Sequence, residues 1–267
     1  MNCKERAQLG LPLEECLVID CHCHMGPWAA MHVPEGSPEG MLRSMNTLGI
    51  DIACPTAHAA IGPDYVLGND LVMDAVRRYP ERMIGYVTVN PNYPDEMEPE
   101  LIRCFSQKGM AGIKCHPSLH GLSLEHPNYH PAYAYAEKRS CPVLFHVWGL
   151  SEVQKVERLA RTYPHAKMIL GHAGAEPAAM EYALELACRL DNVWLDLAIS
   201  RTLEGNVEWF VEKAGSKKIL YGSDMPFFDP RPAIGRVAMA RISEEEKRDI
   251  LGRNAAHLFG VDRAGIR

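Results

Sequence analysis

The chain has 267 residues, of which 47% are hydrophobic and 23% are charged, a composition typical of an ordinary globular protein. A formal net charge of −6 argues against a surface that binds nucleic acid or anionic membranes. The sequence has no run of about 18 apolar residues, and residues 1–15 lack the apolar core of a signal peptide. We therefore expect a cytoplasmic protein that does not span a membrane.

Short apolar runs, each bounded by Gly, Pro or polar residues, are predicted to be strands buried on both faces. In chain order they cover residues 16–23, 50–55, 83–89, 111–115, 142–148, 167–171, 193–197 and 218–222.

Amphipathic stretches between these runs are predicted to be helices. Ser37 caps a helix that Gly49 closes. Further helices are predicted over residues 70–79, 94–105, 126–139, 151–163, 175–190 and 203–214. A capping box that starts at Ser243 opens a helix that stops at Gly252, and a last short helix ends near Gly260.

Strands that alternate with helices imply parallel β-α-β units with right-handed crossovers. Eight such units in a chain of 267 residues predict the α/β class and a closed (β/α)8 TIM barrel. With no linker or repeat in the sequence, we expect a single domain over residues 1–267, with a barrel core over about 16–242 and C-terminal helices over about 243–260. A doubly wound open sheet is the alternative, but its Gly-rich phosphate turn is missing after the first strand.

Histidines and a carboxylate cluster at the predicted strand ends, where a TIM barrel carries its active site. The first strand ends in His22 and His24, the fifth carries His146, and Asp224 follows the eighth. Because side chains alternate along a strand, His22 and His24 point to the same face and can chelate one ion. With His146 and Asp224 they form a nitrogen and oxygen donor set that suits Zn²⁺ or, less selectively, Mn²⁺, Co²⁺, Ni²⁺ or Fe²⁺.

The cysteines favour a catalytic metal site over a structural one. Cys21 and Cys23 are expected to point to the opposite face of the first strand, toward the helices, so they do not complete a Cys/His zinc site. The nine cysteines lie mostly inside apolar runs and lack the paired spacing of a disulfide framework, which indicates a reducing compartment.

Several longer motifs occur in order along nearly the whole chain: DCHCH at 20–24, GIKCHP at 112–117, PVLFH at 142–146, LGHAG at 170–174, YGSDMP at 221–226 and NAAHLFG at 254–260. Together they resemble the amidohydrolase superfamily, specifically the amidohydrolase-related group that includes aminocarboxymuconate-semialdehyde decarboxylase.

The resemblance implies that His22, His24, His146 and Asp224 bind the metal, and that the sixth-strand His172 contacts the water on it. Two-metal members of the superfamily use a carboxylated fourth-strand lysine as a bridge, for which Lys114 occupies a suitable position. The Gly-Ile-Lys-x-His-Pro pattern favours the one-metal group, so we expect one ion per chain.

Hydrolysis of an amide, ester or lactone bond in a small molecule is the leading functional hypothesis. A catalytic Zn²⁺ lowers the pKa of its bound water to about 7. Asp224 would accept the proton of that water, and His172 would orient it.

Other functions stay open. Related proteins perform non-oxidative decarboxylation of a small unsaturated or aromatic carboxylate with a similar site, and related lactonases use no metal. A non-catalytic barrel that binds a metal or ligand is a further alternative. The sequence leaves the substrate and the oligomeric state open, with a homodimer as one option.

Substrate contacts are expected from Lys114, His116, Trp28 and Arg201, which lie at or after the carboxyl ends of predicted strands. Asp20 is expected either to orient a ligand imidazole or to close a polar contact in the barrel. The remaining histidines of the predicted mouth either line the pocket or, in the favoured interpretation, are solvated loop residues: His32, His58, His120, His126 and His130.

Overall fold

The structure, a computed structural model, describes residues 1–198 and 203–262. Its parallel strands are β1 Ile19–Met25, β2 Ile52–Ala57, β3 Gly85–Thr88, β4 Met110–Cys115, β5 Pro142–Trp148, β6 Lys167–Gly174, β7 Val193–Asp196 and β8 Ile219–Leu220. The α-helices are α1 Cys3–Gln8, α2 Pro38–Leu48, α3 His58–Ile61, α4 Tyr65–Arg78, α5 Pro94–Phe105, α6 Pro117–His120, α7 His130–Arg139, α8 Leu150–Thr162, α9 Pro177–Arg189, α10 Asn206–Ala214, α11 Pro230–Met239, α12 Glu244–Arg248 and α13 Asn254–Phe259. Short 3₁₀ segments cover Pro127–Tyr129 and Ser216–Lys218, and a π-helical segment covers Asp249–Arg253.

The strands close into a ring. β1 pairs with β2, and β3 to β8 form one continuous parallel sheet. A parallel bridge between Ala53 and Met83 joins β2 to β3. The ring closes where the backbone N–H of Cys21 donates to the carbonyl of Tyr221 across 3.0 Å. The predicted (β/α)8 barrel of the α/β class is confirmed.

The core has an inner layer and an outer layer. The inner cluster fills the barrel with residues of many strands, such as Ile19 of β1, Tyr86 of β3 and Leu144 of β5. A much larger cluster lies between the strands and the helices around them. The barrel is therefore a packed core whose polar residues gather at the carboxyl ends of the strands.

A bulge in β1 corrects one prediction from strand alternation. The register with β2 shifts between Asp20 and Cys23, so β1 carries one extra residue there. Cys21 consequently packs in the inner cluster with Ile19, whereas Cys23 packs in the outer cluster as expected. The prediction that Cys21 points toward the helices is wrong, because the bulge lets Cys21 and the following His22 both face inward.

Capping signals correctly predicted both ends of α2 and the start of α12. The Ser37 side chain accepts from the backbone N–H of Gly40, and Gly49 closes α2 in the left-handed conformation at φ 78°. The capping box at Ser243 is present. The prediction that the helix opened at Ser243 stops at Gly252 is wrong, because a π-helical segment over Asp249–Arg253 continues the helix past Gly252. The helices α1, α3, α6 and α11 were not predicted.

Within the described residues, none of the helices combines the length and the apolar character needed to cross a bilayer.

Candidate metal centre

Three of the four predicted metal ligands meet at the carboxyl end of the barrel. His22, His24 and Asp224 are buried and each offers a ligand atom within 4.8 Å of the others. Oδ1 of Asp224 lies 2.9 Å from Nε2 of His24 and 3.6 Å from Nε2 of His22. The backbone N–H of Asp224 also donates to the carbonyl of His22 across 2.8 Å, which fixes the two strand ends against each other.

The other ring nitrogen of each of these histidines has a buried partner. Nδ1 of His22 lies 2.9 Å from Oδ2 of Asp196, at the end of β7. Nδ1 of His24 lies 2.7 Å from Oγ1 of Thr56, in β2. With Nδ1 engaged, Nε2 of both rings is directed at Asp224, the arrangement that histidine ligands of metals commonly show.

The fourth predicted ligand, His146, lies beside His172 rather than within this group of three. Nδ1 of His172 lies 2.9 Å from the carbonyl of Ala198, and its Nε2 lies 3.1 Å from Nδ1 of His146. A carbonyl can only accept, so Nδ1 of His172 carries a proton, and we assign Nε2 of His172 as the acceptor from Nδ1–H of His146. This assignment leaves Nε2 of His146 with a lone pair, the form in which an imidazole binds a metal.

Lys114 reaches into the same group of atoms. Its Nζ lies 2.9 Å from Nε2 of His22, and the side chain is fully buried. Burial lowers the pKa of Lys114 to about 8, although the carboxylates of Asp224 and Asp196 oppose this shift.

Electrostatics keep the donor set in its ligand form. Burial, reinforced by the charge of Lys114, lowers the pKa of His22 to about 4, and burial also lowers the pKa of His24. Burial lowers the pKa of His146 to about 2. For Asp224, burial alone would raise the pKa, but the imidazoles of His22 and His24 outweigh it and hold the pKa well below its usual range. Neutral imidazoles and an ionised carboxylate are the species that bind a divalent cation.

The backbone at the two predicted catalytic residues lies in the left-handed region. His172 has φ 60° and is followed by Ala173 at 48° and Ala175 at 62°, while Asp224 has φ 63°. Left-handed conformations cost roughly 1–2 kcal/mol per residue for residues other than glycine. Such strain persists only where the surroundings hold it, and it is concentrated at functional sites.

Two columns of stacked aromatic rings begin at His24 and at His146. In the first, His58 stacks on His24 with ring centroids 5.2 Å apart, and Trp28 stacks on His58 at 5.4 Å and an interplanar angle of 3°. In the second, His116 stacks on His146 at 4.1 Å and 13°, and Trp148 lies 6.4 Å from His146 at 18°. These aromatic walls flank the metal-binding candidates.

Several predicted roles change with the geometry. Asp20 closes a polar contact rather than orienting an imidazole, because its carboxylate accepts from the backbone N–H groups of His22 and Ser223 and from the Ser223 hydroxyl. The prediction that His58 and His120 are solvated is wrong, since both are buried. Arg201 lies outside the described residues.

Sequence reasoning missed Asp196 and Thr56. Asp196 ends β7 and Thr56 lies near the end of β2, so both occupy the same rim as the histidines. A carboxylate or hydroxyl that hydrogen-bonds to the far nitrogen of a ligand imidazole leaves no spacing pattern comparable to that of His22 and His24.

The residues present fit a divalent metal. Two nitrogen donors and one carboxylate oxygen lie within 4.8 Å of one another, a spacing that could hold one ion, and the imidazole of His146 lies next to His172. A family model described as amidohydrolase matches residues 19–261. The chain belongs to the amidohydrolase family. It is therefore an enzyme of that family, as the sequence motifs predicted.

Two curated relatives of this amidohydrolase are decarboxylases. The 2-amino-3-carboxymuconate-6-semialdehyde decarboxylase of Dictyostelium discoideum is 22% identical over 73% of this chain, which spans 66% of that relative's length. The gamma-resorcylate decarboxylase of Rhodococcus jostii (strain RHA1) is 22% identical over 86% of this chain and 85% of its own length.

A solved structure shares the fold. The 5-carboxyvanillate decarboxylase of Novosphingobium aromaticivorans, in complex with manganese and 4-hydroxy-3-methoxy-5-nitrobenzoic acid, is 16% identical, with a TM-score of 0.75. The match covers 93% of this chain and 97% of that one. This likeness concerns the fold, whereas it is the two curated relatives that favour the decarboxylase alternative over hydrolysis.

Proposed function

We propose that this amidohydrolase is a metal-dependent, non-oxidative decarboxylase of a small unsaturated or aromatic carboxylate. The observation that carries the proposal is the buried set of His22, His24 and Asp224, together with the two columns of stacked rings that begin at His24 and at His146. Both curated relatives are named as decarboxylases, which supports this reaction over hydrolysis.

We assign the metal to Nε2 of His22, Nε2 of His24, Nε2 of His146 and a carboxylate oxygen of Asp224. One ion per chain fits this set, and Mn²⁺ or Zn²⁺ suits its mixture of imidazole and carboxylate donors. When bound, a divalent cation supplies positive charge that holds the oxygens of the substrate and stabilises negative charge as it develops.

The ring columns and a neighbouring cleft suit a planar substrate. Trp28 forms one wall of a cavity of about 660 Å³ that Met25, Met31 and Leu71 also line. The cavity adjoins Trp28 of the first ring column, and its lining does not include the proposed metal ligands. We infer that a conjugated ring packs between the two columns, with its carboxylate toward the metal and Lys114.

The reaction breaks the bond between the carboxylate and the adjacent carbon. Carbon dioxide leaves, the bonding electron pair stays on the carbon, and that carbon takes up one proton. Asp224, on a carboxylate oxygen, and His172 are the groups at the rim that we expect to carry this proton.

Hydrolysis is the second candidate, favoured by the ionisation of Asp224. The neighbouring imidazoles hold the pKa of this carboxyl well below its usual range despite its burial, so it can accept a proton from an attacking water. The cytoplasmic location and the homodimer stay predictions.

The test is a substrate panel assayed with metal-free protein and with protein loaded with Mn²⁺ or Zn²⁺. Release of CO₂ from hydroxybenzoates or muconate-type acids, dependent on the added metal, is the expected result. His165→Gln serves as the matched control, because this exposed histidine lies just before β6, at the opposite end of the barrel. Metal-dependent cleavage of esters, amides or lactones without CO₂ release from any acid would instead establish the hydrolase.

A further inference from the structure

Asp196 contacts two different histidines of the site with its two oxygens. The residue ends β7 and is fully buried. Oδ2 lies 2.9 Å from Nδ1 of His22, and Oδ1 accepts from the backbone N–H of His172 at 3.0 Å and from that of Ala198 at 2.9 Å. One carboxylate therefore joins the ends of β1, β6 and β7.

The contact with His22 determines which ring nitrogen carries the proton. An ionised carboxylate can only accept, so Nδ1 of neutral His22 must be the donor. Nε2 then keeps its lone pair, and this is the atom that lies 3.6 Å from Oδ1 of Asp224 in the candidate metal centre. A neutral acceptor such as an amide would not impose this tautomer as firmly.

The contact with His172 acts on the backbone. His172 opens a turn in which consecutive residues, from His172 to Ala175, have positive φ, and the N–H of Ala175 donates to the carbonyl of His172 across 2.8 Å. In this turn the N–H of His172 is buried and donates to Oδ1 of Asp196. Loss of that acceptor would leave a buried donor unpaired in a strained turn.

We propose that Asp196 is a positioning residue that sets the tautomer of His22 and holds the turn that carries His172. Through one carboxylate it aligns the proposed metal ligand of β1 with the proposed proton carrier of β6. The inference rests on the proposed function only for the identity of His22 as a ligand and His172 as a catalytic group.

Asp20, a further buried carboxylate close to His22, does not share this role. Its hydrogen bonds go to backbone N–H groups and to the hydroxyl of Ser223. Asp224 lies on the Nε2 side of the His22 ring, so Asp196 is the carboxylate that accepts from Nδ1.

The test compares Asp196→Asn with Asp249→Asn as a matched control. Asp249 is also buried and also paired, with Ser216 and Lys217, but it lies in the π-helical segment away from the strand ends. The affinity for Mn²⁺ is measured by calorimetry without substrate, and the ring tautomer of His22 is measured by ¹⁵N NMR on metal-free protein. Neither measurement needs an active enzyme, so failure of the proposed decarboxylation would not be confused with failure of this inference.

For Asp196→Asn we expect Mn²⁺ affinity to fall about 10- to 100-fold, the usual effect of removing a partner of a ligand. A measurable fraction of His22 should also carry its proton on Nε2. Asp249→Asn should change Mn²⁺ affinity less than twofold, and Asp196→Glu should recover part of the loss because it restores an anionic acceptor.

Unchanged affinity and an unchanged tautomer in Asp196→Asn would overturn the inference. If that variant does not fold, the NMR measurement on the unsubstituted protein decides: a proton on Nδ1 of His22 supports the role of Asp196, and a proton on Nε2 refutes it.

Discussion

The Nζ atom of Lys114 lies 2.9 Å from Nε2 of His22, the nitrogen that we assign to the metal. An ammonium group can only donate a hydrogen bond, so in the metal-free protein it takes the lone pair that a metal would use. The metal and the proton on Lys114 therefore compete, and metal affinity is linked to the protonation of this lysine.

Replacing Lys114 should strengthen metal binding. We expect Lys114→Met to bind Mn²⁺ about tenfold more tightly at neutral pH, because a buried positive charge beside the metal is removed. Calorimetry at several pH values should also show that affinity rises with pH up to about 8 in the unsubstituted protein and less steeply in the variant. Weaker binding by Lys114→Met, with loss of a second ion, would instead show that Lys114 is a carboxylated bridge.

The same lysine should shape stability at alkaline pH. Burial lowers its pKa in the folded state to about 8, below the 10.5 of an exposed lysine. Below pH 8 Lys114 is protonated in both the folded and the unfolded protein, and its buried charge destabilises the folded state. Between about pH 8 and 10.5 only the unfolded state holds the proton, so this residue's contribution to the free energy of unfolding rises with pH, by up to about 3 kcal/mol.

Urea unfolding of the metal-free protein measures this effect as the difference in the free energy of unfolding between the unsubstituted protein and Lys114→Met. From pH 8 to 10.5 the free energy of unfolding of the unsubstituted protein should rise relative to that of Lys114→Met. A difference that does not change over this interval would contradict the buried, protonatable state of Lys114.

Removing the hydroxyl behind His24 should weaken the metal site. We expect Thr56→Val to lower Mn²⁺ affinity about tenfold, since Nδ1 of His24 loses its partner at 2.7 Å. Thr88→Val is the matched control, because the buried hydroxyl of Thr88 has no hydrogen-bond partner among the described residues. Equal affinities of the two variants would show that Thr56 does not orient His24.

Asp224 should be needed for turnover more than for metal retention. In Asp224→Asn the amide oxygen can still face the metal, but the side chain no longer exchanges a proton near neutral pH. We expect kcat to fall at least about 100-fold, with most of the metal retained in elemental analysis. A variant that keeps kcat would remove Asp224 from the proton transfer.

The sequence predicted the parts of this structure that depend on local pattern. The bounds of β5 and α5 agree with the prediction, since an uninterrupted apolar run forms the strand and Pro94 opens the helix. The predicted strand ends also led to His22, His24 and Asp224, which meet in the structure.

What the sequence did not predict depends on contacts between distant strands. The bulge that turns Cys21 inward arises from the register of β1 against β2. The helix α11 was missed because Pro230, Pro232 and Gly235 are typical of a loop, yet Asp229 caps it and Pro230 takes its first position. Burial of His58 between His24 and Trp28 could not be read from a segment that follows a strand.

The contact between β1 and the segment after β8 makes completion of the metal centre depend on closure of the barrel. His24 and Asp224 come from opposite ends of the sequence and become neighbours only through backbone hydrogen bonds such as that from His24 to the carbonyl of Met225, at 2.7 Å. A polypeptide still emerging from the ribosome, or one cut before Asp224, lacks the last donor and cannot complete the centre. A bound ion would therefore stabilise only the chain in which the ring of strands is complete.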